Sequence, residues 1–126
     1  MSSGQLGKVY KDGEVIVRQG EVGDCMFVIQ EGQVEIVSRS ANEDVRLAVR
    51  GKGEFVGEMS LFDSEVRSAD VRALGEARLL TVDRKNLMSR VHEDPSLAYR
   101  LLQTLTRRVR ELSDEVVRLR GKSVDS

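Results

Sequence analysis

The first two thirds of the chain alternate short apolar runs with polar, glycine-bearing turns. This alternation is typical of short antiparallel strands. The predicted strands cover residues 15–17, 25–29, 34–37, 44–49, 69–74 and 78–82. The glycine-bearing pairs at 12–13, 31–32 and 75–76 are predicted to be the hairpin turns between strands. The body of the protein over residues 8–83 is therefore predicted to be rich in β-strands.

After the last of these strands the apolar spacing becomes helical, and glycine is absent until Gly121. We predict a short helix over residues 84–93 and a long helix over residues 95–120. Asp94 is suited to cap the long helix, and Pro95 loses no hydrogen bond at its first position. Gly121 is predicted to end it.

The long helix carries an apolar stripe whose members recur at alternating spacings of three and four residues. They are Leu102, Leu105, Val109, Leu112, Val116 and Leu119. This spacing extends over about two and a half heptads, fewer than the three or four expected of a coiled coil. Two interpretations remain open, a homodimer seam and an amphipathic helix packed on its own body.

Composition narrows the classes of protein that these elements can build. The chain has 126 residues and 33% charged residues, with a net charge of −1. This predicts a single domain over 1–126, with no charge excess that would favour nucleic acid. One cysteine and one histidine exclude a disulfide framework and a tetrahedral zinc site. Because no segment is apolar enough for a signal or a membrane span, we predict a cytoplasmic protein without a membrane partner.

Candidate chemistry is concentrated in residues 53–71, a segment too long for a plain hairpin loop. Gly57 allows close approach of the backbone to a ligand, and the residues after it are predicted to form one helical turn with free amides. Arg67 can place its guanidinium beside this helical turn and bind a phosphate there. Glu58 would repel that phosphate unless its carboxylate faced a hydroxyl donor, such as that of a sugar.

Residues 55–62, Phe-Val-Gly-Glu-Met-Ser-Leu-Phe, followed by Arg-Ser-Ala at 67–69, closely resemble the phosphate-binding cassette of cyclic nucleotide-binding domains. The turn residues Gly20, Gly23, Asp24 and Gly32 are also placed as in the β-roll of that family. The similarity covers nearly the whole chain. It is close to the ligand-binding domain of bacterial catabolite activators and related cAMP receptor proteins.

The resemblance implies a fold, a ligand and a set of contacts. The implied fold is mainly β, an eight-stranded antiparallel jelly roll followed by a short and a long helix. The implied ligand is cAMP or cGMP, with cAMP favoured, and no other cofactor is expected. By this resemblance Glu58 accepts from the ribose 2′-hydroxyl, Arg67 pairs with the cyclic phosphate, and Ser68 bonds the phosphate or a guanine. The cradle is completed by the backbone of Gly57, Glu58, Met59 and Ser60.

Further positions follow from the same resemblance. Leu112 and Ser113 of the long helix stand where the family approaches the base, and Ile36 and Leu47 match pocket-wall positions. Asp70, three residues after Arg67, is placed to compete for its guanidinium.

The sequence therefore predicts a sensor domain that couples cyclic nucleotide binding to movement of its C-terminal helix. The alternative is an interaction module that keeps the fold, binds no nucleotide and acts through that helix. We predict no enzymatic activity, because no base or metal cluster accompanies the cassette. Expected partners are a second copy of the chain and an unidentified effector. Direct DNA binding is not expected, because the chain ends six residues after Arg120, where related transcription factors continue into a helix-turn-helix domain.

Overall fold

A computed structural model describes residues 7–63 and 66–125. The described part contains one six-stranded antiparallel sheet and three helices. The strands are β1 (Lys8–Tyr10), β2 (Val15–Val17), β3 (Cys25–Arg39), β4 (Asp44–Gly51), β5 (Phe55–Val56) and β6 (Asp70–Asp83). The helices are α1 (Ser60–Asp63), α2 (Leu87–Glu93) and α3 (Ser96–Asp125). The predicted fold class, mainly β with helices at the C-terminal end, is confirmed.

The described strands number six, whereas the resemblance implies eight, and two of the predicted hairpins are continuous strands. β3 has 15 residues and runs through the predicted turn at 31–32, and β6 has 14 residues and runs through 75–76. The two strands pair antiparallel along their length, from Cys25 opposite Asp83 to Val37 opposite Asp70. The glycines therefore bend a long ladder instead of reversing the chain.

Gly32 shows why the bend requires glycine. Its φ is +81°, in the left-handed region that side chains disfavour. A Cβ at this position would lie 2.3 Å from the carbonyl oxygen of Glu76 on the partner strand. The register between β3 and β6 shifts on both sides of Glu31, as expected at a bulge.

The remaining strands attach to this long pair. β1 and β2 both pair with β6, one after the other, so the positive-φ turn at Gly13 links two strands that share a partner. This differs from the hairpin predicted at 12–13. β4 and β5 pair with β3, and β5 contributes only Phe55 and Val56. β4 agrees with the strand predicted over 44–49 and extends it to Gly51.

The apolar side chains form two cores on opposite faces of β3. Phe27 and Ile29 point to a cluster inside the roll, whereas Met26 and Val28 point to a cluster under the helices. This division follows from the two-residue period of a strand. Leu97 and Leu101 of α3 belong to the second cluster, so the start of α3 is fixed on the roll.

The bounds of both predicted helices need adjustment. α2 begins at Leu87 rather than residue 84, and the residues before it form turns. Asp94 caps α3 as expected, because its Oδ1 accepts from the Ser96 amide at 3.2 Å. α3 runs through Gly121 to Asp125, so the predicted stop is wrong; glycine weakens a helix by about 1 kcal/mol relative to alanine but does not terminate it. No helix in the described part is long and apolar enough to cross a membrane.

α3 leaves the body of the protein after residue 108. Leu105 is half-buried against the second core, whereas the other five members of the apolar stripe are at least 49% exposed. These are Leu102, Val109, Leu112, Val116 and Leu119. Packing on the chain's own body therefore applies to Leu105. The homodimer seam stays open as an interpretation of the other five residues.

Candidate functional site

The segment from 53 to 71 has structure of its own, as predicted. β5 pairs with Phe27 and Val28 of β3, which fixes the start of the segment to the middle of the roll. Gly57 follows with a φ of +73°, and α1 then makes a single turn. The Ser60 amide donates to the Gly57 carbonyl at 3.2 Å. The helical turn after Gly57 is therefore confirmed.

Arg67 lies on the return path of the segment. Its backbone amide donates to the Glu21 carbonyl, and its carbonyl accepts from the Gly20 amide, which holds the residue against the turn before β3. The side chain is 8% exposed. Its Nη1 donates to the Gly57 carbonyl at 3.1 Å, and its Nη2 donates to the Cys25 carbonyl at 2.8 Å. The guanidinium is thus held beside the cassette backbone by two carbonyl oxygens.

Two glycines leave the room that this guanidinium occupies. A Cβ on Gly23 would lie 2.0 Å from Nε of Arg67, and a Cβ on Gly57 would lie 2.5 Å from its Nη1. Side chains are excluded at both positions unless Arg67 moves. Gly23 and Gly57 therefore leave the space in which the Arg67 guanidinium lies.

Cys25 contributes its carbonyl to this arrangement and keeps a half-buried thiol. Burial raises the pKa of the Cys25 thiol, although the nearby Arg67 guanidinium favours the thiolate and opposes the shift. A raised pKa makes a thiol less nucleophilic at neutral pH. The side chain packs against the core inside the roll. Cys25 therefore behaves as a small apolar residue.

Glu58 is 4% exposed and forms an ion pair with Arg108 of α3. The ion pair uses Oε1 of Glu58, whereas its Oε2 is buried and has no hydrogen-bond partner in the described part of the chain. An unsatisfied buried carboxylate oxygen is costly unless a donor reaches it. The open oxygen of Glu58 is therefore available to a ligand that carries a hydrogen-bond donor.

Arg108 joins the helix to the cassette and was not singled out from the sequence. Besides Glu58, its Nη2 contacts the Phe55 carbonyl at 3.1 Å. Burial lowers the pKa of Arg108, and the neighbouring cation Arg50 lowers it further. The face of α3 that carries Leu97 and Leu101 reaches Arg108 three turns later at helical spacing. That spacing is the signal that could have identified it.

A cavity of about 350 Å³ opens between the cassette, the roll and α3. Arg67, Glu58 and Arg108 all line it. Most of the predicted site residues line the same cavity: Ile36, Gly57, Glu58, Met59, Ser60, Arg67 and Ser68. The cavity thus combines cationic groups, one open carboxylate oxygen and an apolar side, which suits a polar anion with a hydroxyl group.

Three predicted residues do not line this cavity. Leu47 of β4 is 59% exposed and stands outside its lining. Leu112 is 68% exposed, and Ser113 lies in a separate groove along α3 with Val109. Within the described part of a single chain, the structure does not bring these residues to the cassette.

Asp70 does not compete for Arg67, so that expectation is wrong. Its Oδ1 accepts from the Gln19 amide at 2.7 Å, and its Oδ2 accepts from Arg72 at 2.9 Å and lies 3.0 Å from Nε of Arg39. Burial alone would raise the pKa of Asp70, but these hydrogen bonds outweigh it and hold the pKa below its usual range. Asp70 begins β6 opposite the end of β3, which directs its carboxylate toward Arg39.

Comparison with known proteins agrees with the geometry. Residues 7–94 match the cyclic nucleotide-binding domain family. The chain is 32% identical over 110 residues to a cyclic AMP receptor protein of Thermus thermophilus, which covers 86% of this chain and 51% of the relative. The chain therefore spans about half the length of that relative.

Solved structures give the same result. The catabolite activator protein of Thermus thermophilus superposes with a TM-score of 0.75 at 32% identity, covering 89% of this chain and 53% of that one. The cAMP-bound EAL enzyme Bd1971 superposes with a TM-score of 0.62 at 32% identity, covering 88% of this chain and 30% of that one. The same enzyme is also known in a cGMP-bound form, which is 31% identical, with a TM-score of 0.63 and coverage of 89% of this chain and 30% of that one. Because the family match spans the roll, the cassette and α2, this chain belongs to the cyclic nucleotide-binding domain family.

Proposed function

We propose that the chain is a non-enzymatic sensor that binds a cyclic nucleotide, with cAMP favoured over cGMP, in the cavity beside α1. The observation that supports this most strongly is that one cavity is lined both by Arg67, which carries a guanidinium, and by Glu58, whose Oε2 has no hydrogen-bond partner in the described part of the chain. A cyclic nucleotide carries an anion and a ribose 2′-hydroxyl within a single small ligand. Each group therefore has a matching partner.

Arg67 is proposed to bind the cyclic phosphate. A guanidinium has five N–H donors, and the two carbonyl contacts of Arg67 leave others for the ligand. The carbonyls of Gly57 and Cys25 fix the orientation of the cation before the ligand arrives. The amides from Gly57 to Ser60 and the side chain of Ser68 are proposed to complete the phosphate contacts.

Glu58 is proposed to accept a hydrogen bond from the 2′-hydroxyl at Oε2. Its other oxygen remains paired with Arg108, so one carboxylate contacts both the ligand and α3. A ligand that reorganised Glu58 would change the attachment of α3 at Arg108. Binding would then shift the population of docked and released helix positions.

The base is proposed to contact Leu112 and Ser113, which requires a change in α3 or a second chain. These residues lie one turn beyond Arg108, where α3 has already left the body. The exposed stripe on this part of α3 supports a homodimer in which two helices cover one another. Such a dimer would bring a second α3 close to each cassette.

The homodimer is tested by Val116→Glu, with Val117→Glu as its matched control. Both valines are exposed and adjacent, but only Val116 belongs to the stripe. We expect Val116→Glu to weaken dimerisation at least about tenfold, because a buried unpaired charge is costly at a helix seam. Val117→Glu is expected to leave association unchanged. Sedimentation equilibrium measures both, and equal dissociation of the two variants would contradict the seam.

Gly23→Ala tests whether the position of Arg67 matters for binding. The new methyl group cannot coexist with the present guanidinium, so we expect cAMP affinity to fall at least about tenfold, or 1.4 kcal/mol. Gly51→Ala is the matched control, since its Cβ would meet Gln33 at an ordinary 3.9 Å. Unchanged affinity in Gly23→Ala by calorimetry would argue against this role.

The proposed output is transfer of the helix movement to an unidentified effector, in a cytoplasmic setting and without direct DNA contact by this chain. Calorimetric titration with cAMP and cGMP, with linear 5′-AMP as the control, tests the sensor proposal. We expect saturable binding of at least one cyclic nucleotide and much weaker binding of 5′-AMP. Absence of heat and of thermal stabilisation up to millimolar cyclic nucleotide would favour the interaction module.

A further inference from the structure

A second cavity, of about 530 Å³, lies away from the cassette, where β3 and β6 meet the junction between α2 and α3. None of the residues that line it also lines the cassette cavity. Val28, Leu80 and Leu97 give it apolar sides. Its walls therefore come from residues that the proposed nucleotide contacts do not use.

Four cationic side chains line this second cavity, and two of them already have partners. Lys52 lies 3.7 Å from Glu31, and Arg100 lies 3.1 Å from Asp94. Asp94 also accepts from the Ser96 hydroxyl at 2.5 Å. These carboxylates are therefore occupied by neighbouring groups.

The other two cations, Arg78 of β6 and Arg90 of α2, are unpaired. Within residues 7–63 and 66–125, neither side chain has an ion pair or a hydrogen bond. Both side chains are half-buried, and Nε of Arg90 is fully buried without a hydrogen-bond partner. Burying an unsatisfied guanidinium donor carries a cost that a bound acceptor would remove.

We infer that this second cavity binds an oxyanion, a phosphate or carboxylate group, between Arg78 and Arg90. Guanidinium groups bind planar carboxylates and tetrahedral phosphates through paired hydrogen bonds. The apolar sides would accept a short hydrocarbon part of the same ligand. A bound ligand would connect β6 to α2, immediately before α3 begins at Ser96.

Glu93 is the remaining acidic residue on the cavity, and it opposes anion binding. It is exposed at the end of α2, so water screens its charge. The two unpaired guanidinium groups outnumber this single carboxylate. The local balance therefore still favours an anion.

The test uses the Nε–Hε resonances of arginine in ¹H–¹⁵N spectra of the full chain. The probes are sodium pyrophosphate and sodium citrate, with sodium chloride at matched ionic strength as the control. We expect saturable shifts at Arg78 and Arg90 with an apparent Kd near or below about 1 mM for at least one probe. A stronger response to pyrophosphate would identify a phosphate ligand, and a stronger response to citrate a carboxylate ligand.

Arg78→Gln and Arg90→Gln are each expected to raise the apparent Kd measured at the other arginine at least about tenfold. Arg120→Gln, at an exposed position on α3, is the control and should change nothing. Shifts no larger than those with sodium chloride would overturn the inference. Saturable shifts confined to Arg67 would also overturn it, since they would place the anion in the cassette. The outcome is independent of cyclic nucleotide binding.

Discussion

Arg67→Ala is expected to weaken cAMP binding by roughly 2–5 kcal/mol, which is at least about a thirtyfold loss of affinity. The substitution removes the guanidinium proposed to neutralise the cyclic phosphate in a buried cavity. It also releases the carbonyls of Gly57 and Cys25, which Arg67 now holds at hydrogen-bonding distance. Calorimetric titration of the variant with cAMP measures the loss.

Two further variants separate phosphate recognition from folding. Arg67→Lys keeps the charge but lacks the planar fork, so it should recover part of the affinity if charge dominates. Arg46→Ala removes an exposed arginine of β4 that is paired with Glu35 of β3. This variant should bind cAMP as the parent does. A loss under tenfold in Arg67→Ala, with an unchanged unfolding curve, would show that Arg67 does not contact the phosphate.

Asp70→Asn is expected to lower the free energy of unfolding by roughly 2–4 kcal/mol near neutral pH. Its carboxylate is almost fully buried and connects the backbone amide of Gln19 with Arg39 and Arg72. The neutral amide would leave two guanidinium groups without their shared carboxylate. Urea denaturation at pH 7 measures the change.

The same substitution predicts a pH dependence. Because the folded protein holds the pKa of Asp70 below its usual range, this stabilisation is present at neutral pH. It should decrease as the pH falls below the unfolded value of about 4. The difference in stability between the parent and Asp70→Asn should therefore shrink in acid. A difference that stayed constant from pH 7 to pH 3 would contradict the proposed ionic contacts.

The fold class could be predicted from the sequence because the change from strand to helix periodicity is strong. The course of β3 and β6 could not, since glycine next to a polar residue is equally compatible with a hairpin and a bulge. Gly32 needs its positive φ to pass a neighbouring carbonyl, which is a tertiary contact. The continuation of α3 through Gly121 could not be predicted from that glycine alone, because it depends on the rest of the helix.

The site was predictable where one short segment carries it. Glu58 and Arg67 occur within ten residues of each other and could be assigned together. Arg108 was not assigned, because an arginine on a charged helix gives no local indication of which carboxylate it meets. Its contact with Glu58 depends on how α3 lies against the cassette.

A crystal structure of the full chain with cAMP tests the central claim most directly. We predict the cyclic phosphate within hydrogen-bonding distance of the Arg67 guanidinium, and the ribose 2′-hydroxyl within that distance of Oε2 of Glu58. The Arg108 contact at the other oxygen of Glu58 would then show whether α3 stays docked. Nucleotide bound elsewhere, with Arg67 bonded only to Gly57 and Cys25, would contradict the claim.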